Sequence, residues 1–391
     1  MQRYLFVLLA LALAACAQET IVPTEDYACT LSFADASGQH ADRDAFTAEL
    51  AYFAARTPGI QIAITSQNGQ SWTGASGWAD LANRVPFEPC TKTMIGSISK
   101  VMTGVLILQL QEEGKLSLDD PLSRHLEASV IGEIANADQV NLRHLLQHTS
   151  GIKDYLGLKQ FVNSVNTPYL LETQEEKLRY IYGKPADHAP DAQHTYSNTN
   201  YVLLGLIVEK LRDMPLWEAV DQFIAAPLGL RNMVMGTHEV PIPVGTARPY
   251  LASRGDKYQD IMPHAVADAA TGDGGIASNM QDVNAFFQAL FAGEVVDPAT
   301  LEAMVTDRVS VGDMSTYDFG DEWYGLGIEI YTTPHGIAYG HTGSTSTYGA
   351  YTLHFPQDGV TISMAFNGYN FREEPSRFDL MLRLLDRTMG Q

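Results

Sequence analysis

Strand-like patterns lie at both ends of this 391-residue chain, and helical patterns lie between them. Near the N-terminus Ile60, Ile62 and Ile64 alternate with other residues, and a similar alternation returns over residues 360–366. Residues 116–270 show mainly helical patterns broken by turns that contain proline and glycine. We therefore expect an α+β fold in which one antiparallel sheet is built from both ends of the chain and a mostly helical domain is inserted.

These patterns also predict where the two domains lie. The sheet domain is expected to combine residues 43–115 with residues 281–391, and amphipathic helices near its two ends are expected to flank the sheet. The inserted helical domain is expected to cover residues 116–280. An active site is expected between the two domains.

The first fifteen residues have the pattern of a secretory signal peptide. Arg3 is followed by an apolar run that ends at Ala15, and twelve apolar residues are too few to span a bilayer. The ending Leu13-Ala14-Ala15-Cys16 resembles the bacterial lipoprotein signal, which implies lipidation of Cys16, a membrane anchor and a periplasmic location in the cell envelope. An ordinary signal peptide with a coincidental cysteine is the alternative. Residues 16–42 are then expected to form a tether.

The remaining cysteines and the charge balance fit such a compartment. Cys29 and Cys90 form an even pair, which predicts one disulfide, with two unpaired thiols as the alternative. The chain has 25 Lys and Arg residues against 46 Asp and Glu residues, a net charge of −21. Such an excess of acidic residues argues against a nucleic-acid partner. Oligomeric state cannot be inferred from the sequence.

The strongest catalytic pattern is a serine and a lysine at the start of a predicted helix. Ser97 and Lys100 are three residues apart, so their side chains share one helix face. A serine hydroxyl becomes a nucleophile when a neighbouring base takes its proton, and the helix N-terminus offers N–H groups for a developing oxyanion. The spacing alone is a weak signal, because Ser150 and Lys153 repeat it.

Two further motifs follow Ser97 and Lys100 along the chain. Tyr196-Ser197-Asn198 precedes a helical pattern, and His341-Thr342-Gly343-Ser344 follows a strand pattern. Together the three motifs resemble those of the serine β-lactamase and penicillin-binding-protein superfamily. The tyrosine motif resembles the branch that contains class C β-lactamases, D-alanyl-D-alanine carboxypeptidases and related esterases. The resemblance covers nearly the whole chain beyond the predicted tether, and it implies the fold expected above.

The resemblance implies a role for each motif residue. Ser97 is the nucleophile that becomes acylated, and Lys100 and the Tyr196 hydroxyl share the proton transfers. Lys100 is expected to lower the Tyr196 pKa from its usual value of about 10. The backbone N–H groups of Ser97 and Ser344 are expected to form the oxyanion hole. The residues implied in substrate binding are Asn198, His341, Thr342, Gly343 and Ser344.

The third motif departs from the β-lactamase pattern, because His341 stands where that branch usually has lysine. A histidine is charged only near or below a pH of about 6.5, so we expect His341 to respond to substrate charge through its own protonation. The resemblance favours a serine hydrolase that acts through an acyl-enzyme on D-amino-acid peptides or on small esters and amides. The alternatives are a class C-like β-lactamase and a non-catalytic penicillin-binding lipoprotein. No cofactor or metal site is predicted.

Overall fold

The structure is a computed structural model of the chain. The predicted signal peptide, Cys16 and the tether up to residue 28 lie outside the described residues. The described residues are 29–162, 171–252, 257–262, 270–312, 322–345, 348–369 and 377–390.

Most of the described strands belong to one antiparallel sheet. The strands, in chain order, are β1 Gly59–Thr65, β2 Ser71–Asp80, β3 Val85–Pro86, β4 Thr93–Met94, β5 Val234–Met235, β6 Tyr250–Ala252, β7 Tyr258–Asp260, β8 Ile276–Ser278, β9 Val309–Ser310, β10 Glu322–Tyr324, β11 Glu329–Thr333, β12 Gly336–Ser344, β13 Gly349–Phe355, β14 Val360–Phe366 and β15 Gly368–Tyr369. Within the described residues, nine of them form a sheet in the order β3-β2-β1-β14-β13-β12-β11-β10-β9. Because β1 pairs with β14, this sheet joins the two ends of the chain, as predicted.

Helices precede, interrupt and follow the sheet. They are α1 Arg43–Ala54, α2 Ser99–Glu112, α3 Leu122–His125, α4 Ala128–Ile131, α5 Leu142–Leu146, α6 Tyr155–Val162, α7 Gln174–Leu178, α8 Asn198–Arg212, α9 Leu216–Val220, α10 Ala226–Leu228, α11 Met280–Phe291, α12 Pro298–Thr306 and α13 Arg377–Met389. A 3-10 turn, Gly96–Ile98, leads directly into α2. None of the helices in the described part of the chain has the length and apolar character needed to cross a membrane.

Helices cover both faces of the central strands. Every residue of β1 and β14 is buried. On one face Ile62 and its neighbours pack with Phe46 of α1 and Leu384 of α13, and on the other face α11 lies against the same two strands. Each buried isoleucine or leucine contributes about 1.5–3 kcal/mol to folding. The predicted α+β fold with flanking terminal helices is confirmed.

Helix α2 connects the sheet to the helical segment of residues 116–280. Most of its side chains are buried, and Leu106 belongs to a core that also contains Leu203 of α8 and Phe286 of α11. One continuous core therefore spans both predicted domains. For this reason the exact boundary between the two domains stays a prediction.

The described part of the predicted tether, residues 29–42, contacts the body of the protein. Cys29 forms a disulfide with Cys90, with 5.4 Å between the two Cα atoms. Ser32 Oγ donates a hydrogen bond to Asp282 Oδ2 at 2.8 Å, and His40 is buried. These contacts hold residues 29–42 against the folded body, and the extent of the tether stays a prediction.

The disulfide should stabilise the fold measurably. It joins two cysteines that are 61 residues apart in the sequence. A cross-link that closes a loop of this size lowers the entropy of the unfolded chain and thereby raises the free energy of unfolding by about 4 kcal/mol. We expect reduction of the disulfide to lower the free energy of unfolding by that order and to lower Tm by several degrees. Denaturant titration with and without reductant measures the change. The Cys29→Ser/Cys90→Ser double variant is the control, and a response to reductant in that variant would contradict this explanation.

Candidate active site

Two glycines bring the turn before α2 against strand β12. Gly96 has a left-handed backbone conformation (φ +54°), and a side chain on it would meet the Ser344 nitrogen at 2.8 Å. A side chain on Gly343 would lie 1.9 Å from the Ile95 carbonyl oxygen. Glycine is therefore required at both positions. This close approach places Ser97, which lies in the turn, next to the end of β12.

The Lys100 ammonium group lies at the centre of the site. Its side chain is completely buried, and Nζ donates hydrogen bonds to Ser97 Oγ at 2.9 Å, to Asn198 Oδ1 at 2.8 Å and to the Asp273 carbonyl oxygen at 2.6 Å. An ammonium group has three N–H donors, so these three acceptors fix its position. The structure thus brings Ser97, Lys100 and Asn198 together.

Asn198 is oriented by an aspartate that the sequence analysis missed. Asn198 Nδ2 lies 3.2 Å from both carboxylate oxygens of Asp154, and the Asn198 backbone N–H donates to the same carboxylate at 3.0 Å. Because a carboxylate only accepts hydrogen bonds, the amide nitrogen must face Asp154 and the amide oxygen must face Lys100. Burial raises the pKa of Asp154.

A second buried aspartate, which was also missed, lies behind Lys100. The Asp273 carboxylate accepts a hydrogen bond from Tyr155 OH at 2.7 Å and lies 4.0 Å from Lys177 Nζ. Burial favours the neutral acid, but the ammonium groups of Lys177 and Lys100 outweigh burial and lower the pKa of Asp273. The backbone carbonyl of Asp273 therefore holds Lys100 in place, and the carboxylate of Asp273 places a negative charge nearby.

Tyr196 lies at the site, but its electrostatic environment differs from the prediction. Its ring packs on His148, with 4.2 Å between ring centroids, and Lys100 Nζ lies 5.0 Å from the ring centroid. Among the described residues its hydroxyl has no partner with hydrogen-bond geometry, although Ser97 is near enough to oppose a rise in pKa. Burial, and then the charge of Glu329, raise the pKa of Tyr196 well above its usual value. The predicted lowering by Lys100 is wrong, because desolvation of the phenolate is the larger effect.

His341 is buried beneath the site and is neutral. Its Nδ1 lies 2.5 Å from the Thr342 carbonyl oxygen, so Nδ1 carries the proton and Nε2 accepts a hydrogen bond from Tyr324 OH at 2.9 Å. Burial, and then repulsion from Lys100, lower the pKa of His341 to about 3. The expectation that His341 gains charge near pH 6.5 and responds to a substrate carboxylate is therefore wrong.

A cavity of about 300 Å³ opens above these residues. Four of the predicted site residues line it: Ser97, Tyr196, Thr342 and Ser344. Lys100 and Asn198 lie behind Ser97, whereas His341 and Gly343 do not line the cavity. The rest of the wall comes largely from β10 and β11, and it contains Glu322, Trp323, Tyr324, Glu329 and Tyr331. No sequence motif points to these wall residues, because the two short strands that carry them contain no catalytic pattern.

His148 also contributes to the site without having been predicted. Its Nδ1 accepts a hydrogen bond from the Ser197 backbone N–H at 3.1 Å, which fixes the imidazole against the ring of Tyr196. Tyr324 also packs against His148 in an edge-to-face arrangement, with 4.7 Å between the two ring centroids. In the sequence, His148 lies between a short helical pattern and the Ser150-Gly151 turn, and this position is the feature that could have pointed to its role.

The fold and these motif residues define the class of protein. The beta-lactamase family model matches residues 43–386, and the chain belongs to this family. Penicillin-binding proteins and amidases of the same superfamily are serine hydrolases. The predicted superfamily is therefore confirmed.

Individual relatives are similar over different lengths. Protein flp of Staphylococcus aureus (strain MW2) is 29% identical over 175 residues, which are 45% of this chain and 34% of that protein. Penicillin-binding protein 4* of Bacillus subtilis (strain 168) is 26% identical over 256 residues, 62% of this chain and 55% of that protein. The match thus spans about a third to a half of these relatives. The crystal structure of a D-stereospecific amidohydrolase from Streptomyces sp. superimposes with a TM-score of 0.74 at 25% identity, covering 89% of this chain and 99% of the other.

The protonation state of His341 can be measured directly. Because its pKa is lowered to about 3, we expect the imidazole to stay neutral, with its proton on Nδ1, across pH 5.5 to 9. Long-range ¹H–¹⁵N NMR of protein labelled in histidine reports both the charge and the tautomer, and the His341→Gln variant assigns the resonance. A titration of that resonance near pH 6.5 would contradict the buried, neutral histidine.

Proposed function

We propose that the protein is a serine hydrolase that forms an acyl-enzyme on Ser97 and acts on amides, peptides or esters of D-amino acids, or on small esters. The observation that carries this proposal is the 2.9 Å hydrogen bond between Lys100 Nζ and Ser97 Oγ at the base of an open cavity. A nucleophile and a base within hydrogen-bond reach, with the base held by further groups, are the usual requirements for covalent catalysis.

The proton transfers follow from the positions of Lys100 and Tyr196. Lys100 first loses one ammonium proton to solvent, and the neutral amine then takes the proton of Ser97 as Oγ attacks the substrate carbonyl. The high pKa of Tyr196 keeps its phenol protonated, so the phenol is suited to give its proton to the leaving amine or alkoxide. Lys100 then returns a proton to Tyr196, and water hydrolyses the acyl-enzyme by the reverse sequence of transfers. Asn198 and Asp273 hold Lys100 within reach throughout.

The oxyanion of the tetrahedral intermediate needs two N–H donors. The backbone N–H of Ser97, at a helix start, and that of Ser344, at the end of β12, are the groups that the glycine contacts bring together. Donors held in place before the reaction stabilise charge as it develops, and each such donor is worth roughly 10²–10³-fold in rate.

The neutral charge state of His341 affects which classes of substrate the site favours. A lysine at this position would offer a permanent positive charge to a substrate carboxylate, whereas buried, neutral His341 offers none. This favours amides and esters over β-lactams and over peptides that end in a free carboxylate. The structural similarity to a D-stereospecific amidohydrolase supports the amide class.

We also propose that the protein is anchored in the bacterial envelope by a lipid on Cys16. The apolar N-terminal run that ends in Leu13-Ala14-Ala15-Cys16 supports this location. The disulfide between Cys29 and Cys90 supports it independently, because such bonds persist in oxidising compartments.

Ser97→Ala tests the nucleophile. We expect the variant to lose covalent labelling by a fluorophosphonate probe and to lose ester hydrolysis by roughly four orders of magnitude or more, with the fold intact. Intact-protein mass spectrometry and p-nitrophenyl acetate turnover measure the two effects.

Ser150→Ala is the matched control for this experiment. Ser150 Oγ donates to Asn200 Oδ1 at 2.8 Å and accepts from the Ile152 backbone N–H at 3.1 Å. Its loss should therefore cost about 1–3 kcal/mol of stability without removing the labelling. Labelling that survives in Ser97→Ala, or that is lost only in Ser150→Ala, would refute the assignment.

Cys16→Ser tests the anchor. In a bacterial host that processes lipoproteins, we expect the wild type to gain the mass of a lipidated N-terminus and to sediment with membranes, because acyl chains partition into the bilayer. The variant should lack the added mass and appear in the soluble periplasmic fraction. Identical masses and fractionation for the two proteins would argue for an ordinary signal peptide.

A further inference from the structure

Two glutamates lie on one wall of the cavity, and the described residues that line the cavity include no lysine or arginine. Glu322 of β10 and Glu329 of β11 line the cavity together with Ser97. Residues 309–345, which include both strands and the third motif, contain five acidic residues and no lysine or arginine. Arg308, just before this segment, stacks over the Trp323 ring at 4.5 Å and is not among the residues that line the cavity.

Glu329 is held in place by hydrogen bonds from β12 and β11. Its Oε2 accepts hydrogen bonds from the Thr342 backbone N–H at 2.7 Å and from the Tyr331 hydroxyl. Its Oε1 has a long contact of 3.4 Å with Thr342 Oγ1 and lies 3.6 Å from His341 Nδ1. The proton on His341 Nδ1 is directed to the Thr342 carbonyl oxygen, so it does not form a hydrogen bond with Glu329 Oε1. Oε1 therefore keeps acceptor capacity at a side chain that is 18% exposed.

The environment of Glu329 favours a cationic ligand. Burial raises the pKa of Glu329 to about 7, while Tyr331, Thr342 and Lys100 oppose the rise. Ionisation of a carboxyl group in such a place costs free energy unless a positive charge lies beside it. Lys100 is already bound by Ser97, Asn198 and Asp273. A cation that enters the cavity would be the direct partner of Glu329, in the same cavity as the nucleophile.

We propose that Glu329 binds the ammonium group of the substrate, so that the acyl donor is an amino acid with a free amino group in amide or ester linkage. This inference rests on the proposed function, since it names the substrate class of the same site. The carboxylate sets specificity in two ways: it attracts an ammonium group on the acyl side, and it repels a substrate carboxylate at the same place.

Glu329 also holds strand β12 through Thr342, and the test must separate these two roles. Glu329→Gln keeps an acceptor oxygen for the Thr342 N–H and removes the charge. Glu329→Asp keeps the charge on a shorter side chain. Glu302→Gln, on the exposed face of α12 and away from the cavity, is the matched control for the same chemical change.

The experiment compares three chromogenic substrates at pH 7.5: D-phenylalanine p-nitroanilide, its N-acetyl derivative and p-nitrophenyl acetate. An α-amino group has a pKa of about 7.7–8.0, so the first substrate is mainly cationic at this pH. We expect the wild type to prefer the free amine over the N-acetyl compound by about tenfold or more in kcat/KM. Glu329→Gln should lose most of that preference, chiefly through KM, and any change that it causes through Tyr196 or Thr342 should be of similar size on the two uncharged substrates. Glu329→Asp should keep part of the preference, and Glu302→Gln all of it.

Three results would overturn the proposal: an equal loss on all three substrates in Glu329→Gln, no loss on any of them, or a loss of the preference in Glu322→Gln instead. Circular dichroism and Tm establish that each variant is folded. Binding of D-phenylalanine amide to the Ser97→Ala protein, with and without Glu329→Gln, gives the same comparison without turnover. If the wild type hydrolyses p-nitrophenyl acetate through Ser97 but shows no preference for the free amine, the proposed hydrolase stands and the role of Glu329 falls.

Discussion

The buried ammonium group of Lys100 is the contact on which the site depends. Its three acceptors come from the turn before α2, from the start of α8 and from the segment before β8. A buried cation is strongly unfavourable unless its donors are satisfied and negative charge lies nearby. Asp273 and Asp154 provide that charge on two sides. The interactions that offset the cost of burying Lys100 therefore also hold three distant parts of the chain together around Ser97.

Low polarity around the site controls the other titratable groups. His148, His194 and His341 are all held neutral by burial, because each has its pKa lowered. Burial also raises the pKa of Tyr196. In the histidines and in the tyrosine alike, burial favours the neutral form, because a buried charge loses its hydration. The positive charge that remains in the buried site is that of Lys100 and Lys177, and both lysines lower the pKa of Asp273. This arrangement explains why a histidine can occupy the third motif without acting as a cation.

Backbone contacts are as important here as side-chain chemistry. Gly96 and Gly343 allow the α2 turn and β12 to approach more closely than any side chain would permit. The approach places the backbone of Ser344, at the end of β12, beside the turn that contains Ser97. A substitution at either glycine would separate the nucleophile from the strand even if every catalytic side chain were kept.

The architecture can be inferred from the amino-acid sequence, because alternation at Ile60, Ile62 and Ile64 and again at residues 360–366 indicates the buried strands. The positions of Ser97, Lys100 and Tyr196 can be inferred from it as well, since local spacing and motif order carry that information. The charge of His341 and the direction of the Tyr196 pKa shift could not be inferred in this way, because desolvation depends on groups that are distant in sequence. The roles of Asp154, Asp273 and Glu329 likewise became visible only after folding, since each acts through a contact across strands or helices that no local pattern encodes.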